Sequence, residues 1–463
     1  MSIVQRGSFA DHWLRLTVAL SGSEKNGIDA SQQRAEQAAQ VDTRVLGELA
    51  NAQANSSGAH PDEVMLRHVD RQYTPNISCA QWLEQLRRHV FPAMDGDHLL
   101  RVSNSAVLRA TGVLFSRFSE EALLDNMGWF FARMFAPLAD ASLLRDKLDG
   151  QELPLFCAAQ VEPVFRLLVI SLYAVPRFSP KVREDVNLLL RAIRETVAEK
   201  VSTLPWLDRT SKQRAEKKLR AMATVLWPPQ ELMTSAGLAS VYAGFAVPGG
   251  SPSVVASWLH YRRALGDLRR QGYHTALRLP ANLELPLVAY DYLRNEVHVS
   301  VQALSRPVFY LEGTHAMLYG GLGFLYAAEV VRALDADGAR RDSSGLLTVN
   351  ASWLSAAWTD ALLDREGCLS KPGGYFPEIP AVEVAYASFE KALLSSGKRT
   401  AAFSERRLFY LTLCYLLCGA PTLPSVLRRD CNKAVANFPR FAQDYGCLTD
   451  AKMRRRRPCM FFG

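Results

Sequence analysis

The sequence predicts a mainly α-helical fold with minor β structure, and three observations carry that prediction. Apolar residues recur every three or four positions over long stretches. One short segment alternates in polarity as a strand does. Clusters of proline and glycine punctuate the periodic stretches.

In chain order, a first helix is expected near 28–53, followed by the polar loop "NSSGAHPDE". "EEALLDNMGWFFARMFAPL" and "VEPVFRLLVISLYAV" are both rich in apolar residues at helical spacing. From Lys181 onward, Val182, Val186, Leu189, Leu190, Ile193 and Val197 mark one face of a long amphipathic helix, interrupted at Pro205. Asp208 is placed to cap "RTSKQRAEKKLRAMATVL", whose helix formers run up to Pro228 and Pro229. Gly249, Gly250 and Pro252 mark a loop before a helix around "VVASWLHYRRALGDLRRQ". "NEVHVSVQAL" reads as a strand, and the glycine-rich "LYGGLGF" as a bend entering a further helix.

A chain of 463 residues can bury a sizeable core and suggests two or three domain-sized units. Its 48% hydrophobic and 22% charged residues are those of a globular protein, not a disordered one. The formal charge of +8 raises the question of an acidic partner. Its basic residues are interleaved with acids, however, and the one dense run, Arg454 to Arg457, reads as a solvated tail. No nucleic-acid partner is expected. No uninterrupted apolar run reaches the ~18–20 residues that span a bilayer, so no transmembrane segment is expected. "WLRLTVAL" (13–20) is broken by Arg15 and lacks a cleavage site, so no signal peptide or anchor is visible. Asn55, Asn76 and Asn350 stand in N-glycosylation sequons. Six of the eight cysteines fall in the last hundred residues without a C-x-x-C pair, a pattern that fits disulfides in an oxidising compartment better than a zinc ribbon.

The chemistry centres on "YAAEVVRALDADG", 326–338. On a helix, H-E-x-x-H sets two imidazoles one turn apart to hold zinc, with the Glu beside the first as general base. Here the window reads Ala328-Glu329-Val330-Val331-Arg332. A methyl cannot ligate, and a guanidinium offers no lone pair. The nine histidines include no two spaced three or four residues apart, and none follows His315. Read alone, Glu329 and Arg332 form an ordinary i, i+3 helix pair worth ~0.2–0.5 kcal/mol. No phosphate loop, nucleophile elbow or dinucleotide fingerprint occurs at a strand-to-helix junction.

The flanks of this window resemble the neprilysin and endothelin-converting-enzyme family of zinc metallopeptidases. Tyr319, Gly320, Gly321, Leu322, Gly323, Glu329, Leu334, Asp335 and Gly338 match its N-Y-G-G-[IL]-G-x-x-[IL]-G-H-E-[IL]-T-H-x-[FL]-D-x-x-G run without a gap, with Ala327 at a Gly of the run. Trp206, Asp208, Lys212, Ala215 and Lys218 resemble its W-M-D-x-x-T-K segment, and Arg294-Asn295 an Arg-Asn pair beside a family strand. "RRLFYLTLCYLLCG", "NFPRFAQDYGC" and the terminal Cys459 resemble three late segments. The resemblance covers essentially the whole chain but begins some way into a family member.

The resemblance implies a two-lobed neprilysin-like fold, with a helical, cavity-covering lobe over 1–285 and a gluzincin-type catalytic lobe over 286–463. It implies that zinc is the family's cofactor and that its three ligand positions fall here on Ala328, Arg332 and Gly374, with Glu378 at a supporting Asp. It also implies a Cys368–Cys459 disulfide, while the positions of Cys157, Cys418 and Cys447 pair in the family with cysteines from a segment not present here. Cys79, Cys414 and Cys431 are extras able to re-pair. With its ligand positions replaced, the chain is expected to hold no cofactor, and Glu329 to be a remnant general base. The expectation is a pseudopeptidase that binds peptides or a protein partner, extracellular or at the cell surface. The alternatives are an active zinc endopeptidase of short peptides with non-standard ligands, or a fragment without function of its own. The sequence is silent on oligomeric state.

Overall fold

The computed structural model describes residues 9, 11, 13–14, 28–55, 62–139, 152–247, 253–270, 276–280, 286–348, 360, 376–395, 403–418 and 431–463. The chain divides into two compact units, Met1–Gln160 with Ala243–Tyr273, and Val161–Tyr242 with His274–Gly463. The expected division after 285 therefore falls inside the second unit. The reason is strand pairing: residues 223–225 join the same sheet as residues 288–299.

In the first unit, helices Ile28–Asn55, Ser105–Arg117, Glu120–Ala139 and Val254–Leu268 accompany a two-stranded antiparallel ribbon of β1 (Asp62–Met65) and β2 (Leu99–Val102). Val64, Leu66, Val69, Tyr73 and Met94 form a core beneath this ribbon, with Trp82 and Leu83 packed against it.

The second unit is built around the helix Pro180–Ser202. Ser179 caps it by accepting from the Val182 N–H, and Pro180 opens it with a preset φ. Val186, Leu189, Leu190, Ile193 and Val197 are buried along one face, as their spacing predicts. Asp208 caps the next helix, accepting from the Ser211 N–H at 2.9 Å. That helix ends at Ala221, well short of Pro228. Ala223–Val225 forms strand β3 instead, where β-branched Thr224 and Val225 suit a pleated surface. β3 pairs parallel with β5 (Glu296–Val299), and β5 pairs antiparallel with β4 (Val288–Asp291), which leaves β4 at the sheet edge.

"LYGGLGF" bends as expected, at Gly321, whose φ of −92° and ψ of −105° are not helical. It forms a π-helical turn, Tyr319–Gly323, between His315–Leu318 and Phe324–Val330. A Cβ on Gly320 would stand 2.5 Å from the Phe409 carbonyl oxygen, and one on Gly321 2.3 Å from that of Val308. The glycines let this helix touch neighbouring backbone directly.

Behind the sheet lies a buried polar network. Lys218, fully buried, donates its Nζ to the carbonyls of Gly338 and Arg341. Asn295 sits at φ 54°, donates to the carbonyls of Lys218 and Ser343 at 3.0 Å, and accepts from the Tyr290 hydroxyl at 2.8 Å. Asn is among the few side chains that tolerate this left-handed backbone.

Among the described residues, two helices are long and apolar enough to cross a membrane, although charges interrupt both. In His315–Leu334, 72% of the apolar window is buried, which marks a core helix. In Pro154–Arg177 only 28% is buried, yet Arg166 donates to the carbonyls of Leu277 and Leu279 and Glu162 is buried.

Candidate functional site

Glu329 lies on the last α-helical turn before the chain tightens into a 3-10 turn, Val331–Leu334. The helix is almost wholly buried here because it is apolar on nearly every side. Glu329 and Arg332 are its polar pair, and the i, i+3 contact expected from their spacing forms. Arg332 Nε lies 3.1 Å from the Glu329 carboxylate. Glu329 Oε2 also accepts from the Tyr290 N–H at 3.0 Å, on the edge strand β4. The pair is largely shielded, with Glu329 14% and Arg332 28% exposed. Burial opposes the Arg332 charge, but Glu329 and the Tyr292 oxygen outweigh it and hold the guanidinium above its ordinary pKa.

Beyond Arg332, the Tyr292 hydroxyl donates to Asp335 Oδ2 at 2.5 Å. Burial, and then Asp335, raise the Tyr292 pKa. Asp335 Oδ1 accepts from the N–H groups of Asp337 and Gly338 at 3.0 and 2.7 Å. Burial nevertheless pushes the Asp335 carboxyl up to about 6. These contacts close a tight turn after the helix: a Cβ on Gly338 would meet the Arg332 carbonyl at 2.3 Å.

The family register would put zinc ligands at 328, 332 and 374. Ala328 presents a buried methyl and Arg332 a paired guanidinium, and neither carries a lone pair for a metal. The third position, Gly374, lies outside the described residues, whereas Glu378 opens the helix Glu378–Ser395 as a buried carboxylate. At 328 and 332 the side chains do not fit the ion. Among the described residues, one group of three metal-capable side chains gathers elsewhere, Asp291, Glu296 and His298, with ligand atoms within 4.8 Å. Arg294 lies 2.8 Å from Asp291, and Arg278 3.1 and 3.4 Å from the Glu296 oxygens. Protein cations already meet both carboxylates.

Cys459 is disulfide-bonded, and the partner expected for it, Cys368, lies outside the described residues. Cys414 and Cys431 form a second disulfide, joining the helix Phe403–Leu417 to Cys431–Ala436. Cys79, Cys157, Cys418 and Cys447 are free thiols. Asn55 and Asn76 are exposed, Asn55 at the end of its helix and Asn76 in a turn; Asn350 lies outside the described residues.

Tyr290 and Tyr292 escaped the sequence reading as partners of this helix. The first acts through its backbone amide, which no side-chain pattern reveals. The second meets Asp335 across 43 positions of chain. The family register passing through Asp335 was the available signal for that turn.

A family model described as peptidase family M13 matches residues 8–227. Endothelin-converting enzyme 1 of Bos taurus is 19% identical over 348 residues, covering 66% of this chain and 44% of the bovine protein. The Cavia porcellus form is 20% identical over 509 residues, covering 97% of this chain and 65% of that protein. The chain thus spans less than two thirds of the length of these curated relatives. Among solved structures, an inhibitor complex of a Mycobacterium tuberculosis zinc metalloprotease superposes with a TM-score of 0.68 at 16% identity, covering all of this chain and 75% of that one. PepO of Lactobacillus rhamnosis gives 0.65 at 15% identity, covering 99% and 76%. These superpositions establish a shared fold.

Two outcomes follow from the geometry. Arg332→Ala leaves the Glu329 carboxylate with one N–H and no counter-charge, and should lower stability by about 1–3 kcal/mol in urea unfolding. Glu329→Gln keeps an acceptor for the Tyr290 N–H and should cost less; the reverse order would contradict the clasp. Asp335 has a folded pKa of about 6 against 3.8 unfolded, so its stabilising contribution is full below 3.8 and is lost as pH rises through about 6. Urea midpoints of Asp335→Asn, compared with the parent chain from about pH 4 to about pH 7, should lack that slope.

Proposed function

The chain belongs to the neprilysin-like peptidase family M13, and on that premise we propose that it is a pseudopeptidase, a binder of peptides or of a protein partner that does not hydrolyse them. The observation that carries the reading is the guanidinium of Arg332. It stands at a metal-ligand position and is paired with the carboxylate that would otherwise serve as general base. A family hydrolase needs a metal to lower the pKa of its water from about 15.7 to about 7. Glu329 is instead engaged by Arg332 and by the Tyr290 N–H.

Retention of the surrounding scaffold supports binding over simple decay. Asn295, Lys218 and the close-packed glycines are all in place. The two disulfide-bonded sites, at Cys414–Cys431 and at Cys459, support an oxidising, extracellular or cell-surface setting.

The test is an assay with internally quenched short peptides, added zinc and a chelator control. No chelator-sensitive turnover is expected, while labelled peptides or partner should still bind by fluorescence anisotropy. Chelator-sensitive cleavage that disappears in Glu329→Gln would overturn the proposal.

A further inference from the structure

The first unit holds a cavity of about 790 Å³ between the helices Ile28–Asn55 and Glu120–Ala139. Its walls are largely apolar, with Trp13, Val41, Phe118, Trp129 and Ala132 among them. This volume lies within the ~300–1,000 Å³ range of small-molecule sites, which combine apolar walls with a few placed polar groups. Several of the lining groups are ordered along one helix. Arg34, Gln37, Val41 and Arg44 recur at i, i+3, i+7 and i+10 and so share a face.

Arg34 and Arg44 stand ten positions apart, about 15 Å along the axis at ~1.5 Å per residue. Both are exposed, and neither has an ion-pair partner among the described residues. The acid lining the cavity is Asp125, also exposed, on the opposite helix. Asp42 is buried behind the wall, accepts from Asn126 Nδ2 at 3.4 Å and stitches the two helices together. Burial raises the Asp42 pKa, although Arg133 and Asn126 favour the charged form, and so disfavours a second negative charge there. The cavity therefore offers apolar walls and a net positive rim.

We propose that this cavity binds a single-chain amphiphile with an anionic head, its tail against Trp13, Phe118 and Trp129 and its head on Arg34 or Arg44. A carboxylate or phosphate suits a guanidinium, which presents several N–H donors in one plane. The same head chemistry occurs in a fatty acid and in a lysophospholipid. The site lies wholly in the first unit, so the proposal is independent of the Glu329–Arg332 pair.

The experiment is calorimetric titration of the full chain with oleate, oleoyl lysophosphatidate and oleyl alcohol, each below its aggregation threshold. Both anionic probes are expected to bind at one per chain, and the neutral alcohol about tenfold or more weaker, the loss of one charge-assisted pair. The order of oleate and lysophosphatidate separates a carboxylate head from a phosphate head. Arg34→Ala with Arg44→Ala should weaken both anions by a similar factor. Helical circular dichroism should stay unchanged, since both side chains are exposed. Equal binding of the alcohol and the anions, insensitivity to the double substitution, or no binding of either anion would overturn the proposal.

Discussion

A carboxylate that is mostly out of water must be met by partners, and Glu329 shows how this fold meets that demand. One partner is the Arg332 side chain, three residues on, and the other is the Tyr290 amide on an edge strand. The Tyr290 contact fastens the buried helix to the sheet, and Arg332 supplies the counter-charge of the carboxylate that makes it. Removing either partner would leave a shielded negative charge under-satisfied, a costlier condition than never having the charge. Glu329 therefore has a structural occupation, whatever its ancestry.

The clasp depends on what stands behind it. β4 is held at the right distance because β5 pairs with β4 on one side and β3 on the other. The turn between β4 and β5 is fixed by Asn295, in a left-handed conformation and bonded to two carbonyls. Lys218 ties the turn that follows Arg332 to the same network. Gly320 and Gly321 bring the helix against the backbones of Phe409 and Val308 at distances no side chain allows. Positions that match the family motif without ligating metal are thus explained by packing, which persists when the ligands change.

Much of this was legible in the sequence, for physical reasons. Long amphipathic stretches such as Pro180–Ser202 announce themselves because one face must be buried, and Asp208 announces a helix start because its carboxylate meets free N–H groups. Strand β3 was hidden because three residues are too few to show a period, and only pairing with β5 makes them a strand. The same long-range pairing moved the boundary between units away from 285. The bend at Gly321 was readable from its glycines, but its π-helical form was hidden because glycine signals a bend as readily as a close approach. At the site, the Glu329–Arg332 pair was readable from spacing, whereas the Tyr290 amide and the Tyr292–Asp335 bond are non-local.

The side chains at 328 and 332 carry no lone pair for zinc, the premise on which the proposed pseudopeptidase stands. Its most direct test is the zinc content of the purified full chain after equilibrium dialysis against the metal, read by elemental mass spectrometry. Far less than one equivalent is expected, and Arg332→Ala, which frees Glu329 but adds no imidazole, should leave that content unchanged. One tightly held equivalent per chain would contradict the account.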